Sequence, residues 1–193
     1  MTDKNQVEVG DIILVAGTGF LPKGIQFFMN LYRKRKGLPK RKLYNHAAAV
    51  VDLWGTQWIA EASAKGVRVF QYPNDYVRRQ DCKVLGWIEP LEDSEKEALS
   101  KTAISYALHP TRYDVMNFWY QARYIFTGKW KGPTGEKAKK RVYCSEFTAI
   151  LIDELSDIYE GQTWDKNPLD IELLEGDLLY TKYIDKKRPK EVS

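Results

Sequence analysis

Cys144 stands in RVYCSEFTAILIDEL, at the foot of a segment with helical periodicity. A thiol attacks only as its thiolate, and a free cysteine near pKa 8.5 is mostly protonated at neutral pH. Two devices lower that value: the unpaired N–H groups of a helix N-terminus and a nearby imidazolium. The chain offers two histidines. His46 opens HAAAVVD, where Ala47 to Ala49 would let another element pack closely; His109 sits between Leu108 and Pro110, where a cap or turn role fits better. A catalytic imidazole also needs an acceptor on its second nitrogen to fix its tautomer. Glu61, an acid among Trp58, Ile59, Ala60 and Ala62 in the following strand-like segment, could lie beside the start of the previous strand in an antiparallel pair. Each residue keeps a plainer reading: Cys144 as core filler, His46 as a satisfied structural residue, Glu61 as a solvent-facing strand position. Cys82, in DCKVLGW, has no evident partner and reads as structural. With no C-x-x-C or H-x-x-x-H spacing, neither a metal nor another cofactor is expected.

The elements that must position these side chains follow from periodicity. Residues 11 to 16 (DIILVA) read as a buried strand, and residues 24 to 36 place Ile25, Phe28, Met29 and Tyr32 at helical spacing before Gly37. Strands are predicted over 46–52, 57–62 and 67–72, separated by tight turns at Trp54-Gly55 and Lys65-Gly66, as in an antiparallel meander. A fourth covers 83–88. Ser94 to Glu97 suggests a capping box for a helix ending near Leu108, and a second helix is predicted over 115–126. After a Gly- and Lys-rich loop comes the helix from Cys144, with Phe147, Ile150, Leu151, Leu155 and Ile158 on one face, then a strand over 177–183 and a basic tail. Strands grouped together and helices grouped together indicate an α+β domain.

At 193 residues, with 44% hydrophobic and 29% charged, the chain suits one globular domain, 1–193, with its core over about 9–183 and a tail at 184–193. The net charge of +4 is concentrated in Arg33 to Lys42 (RKRKGLPKRK), seven cations without an acid; the remainder carries −3. That run could meet an anionic surface or membrane, or simply be a solvated loop. It contains no aromatic, which argues against specific nucleic-acid binding by stacking. MTDKNQVEVG is not a secretory signal, no apolar run approaches the roughly 20 residues that span a bilayer, and two cysteines do not make a disulfide framework. The expected location is the cytoplasm, or release by lysis should the source be a phage.

The ordered set VGDIILV, NHAAAVVD, WIAEASAKGVRV, RYDVMNF, VYCSEFTAILID and NPLDI resembles the permuted papain-fold cysteine hydrolases of the YiiX/YebB-like group, circularly permuted relatives of the NlpC-type cell-wall peptidases. The resemblance runs from about Val9 to Ile171. It implies a circularly permuted papain-like fold, an antiparallel sheet or barrel packed on helices, with the nucleophile at a helix N-terminus. It further implies Cys144 as nucleophile, His46 as general base and then acid, and Glu61 as the residue orienting the imidazole. The Cys144 N–H would be an oxyanion donor, with the Tyr143 hydroxyl a second candidate. Two departures stand out: Asn45 where a serine often precedes the histidine, and the basic insertion before His46. Asp114 matches a recurrent feature and reads as structural. The implied activity is a thiol amidase or peptidase working through an acyl-enzyme on a small amino-acid-containing amide or peptide, such as a peptidoglycan fragment. The alternatives are a thiol acyltransferase or lipase at a membrane surface, a class that usually has a histidine where Glu61 stands, and a non-catalytic binding domain.

Overall fold

The computed structural model describes residues 7–185 except 18–19, 36, 38–43, 72, 80, 110–111, 115, 128, 130, 135–140, 157, 160–162, 164–165 and 167. Lys36 and residues 38–42 of the basic run, and residues 186–193 of the tail, therefore lie outside the described residues. The strands are β1 (Ile12–Val15), β2 (His46–Leu53), β3 (Thr56–Ser63), β4 (Gly66–Gln71), β5 (Cys82–Trp87), β6 (Arg112–Tyr113), β7 (Arg141–Val142) and β8 (Leu179–Asp185). The helices are α1 (Phe20–Arg35), α2 (Pro73–Arg79), α3 (Asp93–Leu108), α4 (Asn117–Thr127), α5 (Cys144–Ser156) and α6 (Pro168–Glu172).

Six strands form one antiparallel sheet in the order β4-β3-β2-β1-β5-β8. The expected meander is its first half. β1 lies at the centre, with Val15 opposite both His46 of β2 and Cys82 of β5. Both faces of β2 are covered, which is why HAAAVVD reads as an unbroken apolar run instead of an alternation. Ala47, Ala49 and Val51 enter one core with Leu99 and Ala103 of α3 and Phe147, Leu151 and Ile152 of α5. Ala48 and Val50 enter a second core with Ile13, Val15, Cys82 and Val77 of α2. The expected α+β class is borne out.

Several local expectations shift. The α3 box is built two residues early: the Glu92 N–H donates to the Glu95 carboxylate at 2.6 Å, because Glu92, not Ser94, has the extended backbone of a cap. Ile158 falls beyond the end of α5 and is exposed. Ile152, not assigned to the packing face, is buried because α5 is wedged between β2 and α3. The short helices α2 and α6 and the two-residue parallel pair β6–β7 were not foreseen; none is long enough to display a period.

Phe147, one turn into α5, is fully buried and meets the Tyr106 ring edge-on at 5.8 Å. Phe147→Ala should cost about 3–5 kcal/mol through lost burial and the cavity left behind. A Tm unchanged within a degree would show that this ring does not anchor the cysteine helix.

Candidate active site

The site forms at one end of the central strands. The Tyr143 carbonyl accepts the Phe147 N–H at 2.9 Å, so α5 starts at Cys144 and the N–H groups of its first turn have no partner inside the helix. Small Ala47 and Ala49 let this helix approach β2 closely. The Cys144 Sγ lies 4.0 Å from the Asn45 carbonyl oxygen, beside the first residues of β2. Asn45 is not a casual replacement for serine here. It is buried, its Oδ1 accepts the Gly17 N–H at 2.7 Å, and its own N–H donates to Val15 at 2.9 Å, tying the end of β1 to the start of β2.

The imidazole of His46 bridges two groups. Its Nε2 is 2.8 Å from Glu61 Oε2, which leaves Nδ1 as the nitrogen that can serve the neighbouring Cys144 sulfur. Burial opposes charge on His46, but the Cys144 thiolate and then Glu61 outweigh it and raise the imidazole to about 10. Burial likewise pushes the Cys144 thiol up; the imidazolium and the N–H groups of Ala47 and Ser145 overcome this and hold it below its ordinary value. Each group thus favours the charged form of the other. Cys144 is 4% exposed and His46 24%, so the pair meets solvent on the imidazole side.

Glu61 is buried and fully engaged. Besides His46, its Oε2 accepts the Tyr76 hydroxyl at 2.8 Å, and its Oε1 accepts Arg68 Nε at 2.7 Å and Arg68 Nη2. Desolvation would raise this carboxyl, but the bonds from His46, Arg68 and Tyr76 prevail and lower it to about 2. Arg68 faces Glu61 across the β3–β4 ladder and its guanidinium lies 5.0 Å from the centre of the Phe70 ring, which touches Tyr76. Sequence reading missed both supports. Arg68 could have been found from the hairpin register, since the tight turn after Ser63 puts residues 61 and 68 opposite each other; Tyr76 sits on the unforeseen α2. Glu61→Gln should slow Cys144 alkylation at pH 6 by about 10–100-fold and Tyr76→Phe by less, because each weakens the charged imidazole that lowers the thiol. Equal rates in wild type and Glu61→Gln would remove Glu61 from the site.

The remaining expectations divide. The Tyr143 hydroxyl donates to the Lys166 carbonyl, which also accepts from Ser145 Oγ at 3.0 Å, so its hydrogen is engaged away from the sulfur. His109 ends α3, with Nδ1 2.7 Å from the Ser105 carbonyl oxygen, a cap as expected. Cys82 is wholly buried and its thiol faces the Val77 carbonyl at 3.6 Å. Asp114 is buried and its N–H donates to Val142, beside β7. Of the basic run, Arg33 is 2% exposed and Arg35 donates to the Phe126 carbonyl at 3.0 Å. Arg33 is thus buried and Arg35, itself exposed, is tied to α4, contrary to a fully solvated loop.

No family model matches the chain, and no curated protein does. Among solved structures it is similar to metalloprotein yiiX from Escherichia coli O157:H7, at 18% identity and a TM-score of 0.57, covering 95% of this chain and 99% of that one. The fold is therefore shared along nearly the whole chain, in agreement with the resemblance read from the sequence motifs.

Proposed function

We propose that this protein is a cysteine hydrolase that cleaves an amide of a small amino-acid-containing substrate, such as a peptidoglycan fragment, through a thioester. The observation that carries the reading is Cys144 at the N-terminus of α5 beside His46, each favouring the other's charged form, with Glu61 on the far imidazole nitrogen. In this reading the thiolate attacks the carbonyl carbon. The N–H groups at the start of α5, that of Cys144 first, receive the charge that develops on oxygen. The Nδ1 proton of His46 passes to the departing amine, leaving a thioester. His46, now neutral, takes a proton from water, and the resulting hydroxide equivalent releases the acid and restores the thiolate beside the recharged imidazolium. Glu61 holds the ring in place throughout and favours its charged form when protonated, and Arg68 and Tyr76 hold Glu61. Tyr143 would assist as an oxyanion donor only after leaving Lys166; in its present place it steadies the start of the helix.

The yiiX protein is described as a metalloprotein. Among the described residues of this chain, no group of three or more His, Cys, Asp or Glu is arranged to hold an ion. Glu61 already carries a guanidinium that would repel a cation. The residues do not fit a metal, and no step is routed through one. No helix among the described residues is long and apolar enough to cross a membrane, and the proposed chemistry needs none.

The test is a screen of dipeptides and N-acyl amino-acid amides, read by intact mass for an acyl adduct on Cys144. An adduct from an amide, lost on brief hydroxylamine treatment, is the expected result. Adducts from phospholipid acyl chains alone would replace the amidase with the acyltransferase or lipase reading. A reactive thiol that no amide or ester acylates would leave the non-catalytic binding domain.

A further inference from the structure

Charge is divided between two parts of this chain. Residues 20–43 and 115–135, which contain α1 and α4, hold eleven lysines and arginines and no acid; the rest holds nineteen cations against twenty-six acids, a balance of −7. The two helices pack on each other. Phe28 of α1 meets Phe126 of α4 edge-on at 6.2 Å, and Arg35 closes the C-terminus of α4 through the Phe126 carbonyl.

The outer side of this pair is apolar where the charge would lead one to expect a polar surface. On α4 and its first cap, Met116, Trp119, Arg123 and Phe126 recur at spacings of three, four and three, which puts them on one helical face. All four are exposed, Trp119 to 63% and Phe126 to 62%. Phe27 of α1, exposed to 65%, adds to the apolar surface of the pair. Lys23, Lys34, Lys129 and Lys131 on the same segments are exposed as well. Large rings and a methionine left in water, flanked by cations with no acid in the same segments, match an anionic lipid surface: the rings enter the headgroup boundary while lysine and arginine meet phosphate. A neutral protein partner would match the rings alone, and a nucleic acid would match the cations alone.

We infer that α1 and α4 together form a docking face for an anionic lipid bilayer. The face lies at the catalytic end of the sheet. α1 leaves β1 just beyond Val15, the partner of His46, and α4 follows β6, which pairs with the strand leading into Cys144. Docking there would bring the thiol site to the bilayer surface with no part of the chain crossing it. The inference stands apart from the thiol chemistry, and Cys144→Ala should dock as well as the native chain.

The test is co-sedimentation of the full chain with vesicles of phosphatidylcholine alone or with 30% phosphatidylglycerol (roughly the anionic content that gives a strong surface potential). A thermal melt of each variant verifies its fold. The native chain should sediment with the anionic vesicles and not with the neutral ones. Phe27→Ser/Trp119→Ser should weaken binding about tenfold or more, through lost burial of two rings, and Lys34→Glu/Arg123→Glu should weaken it similarly. Absence of binding to anionic vesicles overturns the inference, as does equal binding to neutral ones. Binding that the charge variant abolishes but the ring variant leaves intact overturns it too, because that is adsorption by a basic surface. A folded ring variant that keeps full vesicle binding while a polyanion such as heparin competes stoichiometrically would assign the cations to an acidic polymer instead.

Discussion

Cys144→Ala is expected to abolish alkylation by iodoacetamide at pH 6 and to lower amide turnover by about 10³-fold or more, since the nucleophile and its base act as one unit. The sulfur is singled out by its surroundings. It sits at the start of α5, receives N–H groups from Ala47 and Ser145, and faces a charged imidazole. The second thiol supplies an internal control. Cys82 is fully buried in β5 against the Val77 carbonyl, so it should remain unlabelled in the folded native chain and become accessible only in denaturant. The alanine variant should melt within a few degrees of wild type, because a small side chain at the helix start is replaced by one of similar size. Label found on Cys82, or persisting in Cys144→Ala, would sink the assignment.

His46→Ala should be nearly as damaging, and for a reason visible in its pH profile. Without the imidazolium, burial governs Cys144 and pushes its thiol upward. Alkylation at pH 6 to 7 should then fall by about two orders of magnitude or more and recover only in alkali. In the native protein the reactive form is lost at low pH as sulfur is protonated, and the acid function fades as His46 loses its proton near 10. Stability behaves differently. A raised imidazole adds stability that is complete below its ordinary 6.5 and disappears as pH climbs to about 10. A lowered thiol adds stability that is complete above its ordinary 9.0 and disappears as pH falls through its depressed value. Where both operate, a proton has simply moved from sulfur to nitrogen, so the folded and unfolded chains bind equal numbers at this pair. Between pH 6.5 and 9.0 neither reactivity nor the pair's contribution to stability should therefore change with pH, and both should fall together as the sulfur is protonated at lower pH; a wild-type alkylation rate that rose through pH 9.0 as an ordinary thiol's does would contradict the ion pair.

The three residues at the centre were legible because each broke a local rule in its segment: a cysteine at a helix foot, a histidine before three alanines, an acid in an apolar strand. The meander was legible as well, since its turns carry glycine where φ is positive, 74° at Gly55 and 98° at Gly66. Spacing alone could not bring Cys144 to His46, because these residues lie 98 positions apart and meet through α5 packing on β2; only the motif resemblance bridged it. The supports of Glu61 were hidden for two reasons. Arg68 resembles any exposed strand cation, and α2 spans seven residues, too few for periodicity. The Tyr143–Lys166 bond was hidden too, because a carbonyl has no identity in sequence. Nothing in the sequence of the predicted 115–126 helix separates its exposed rings from packing positions; only the direction in which the helix turns its faces does.

Lys182 of the last strand reaches Glu8 at 2.7 Å and Asp11 at 3.2 Å, so the segment that begins the described fold and the strand that ends it are fastened side by side. A chain whose early and late segments are clasped in this way has an order of elements that is partly a matter of where it is opened. Splicing residue 8 to the region of residue 182 and reopening the Trp54-Gly55 hairpin would send the imidazole and its carboxylate to opposite ends of the polypeptide while leaving them neighbours in space. The geometry of the Cys144, His46 and Glu61 cluster is in that sense indifferent to the direction from which the chain is read.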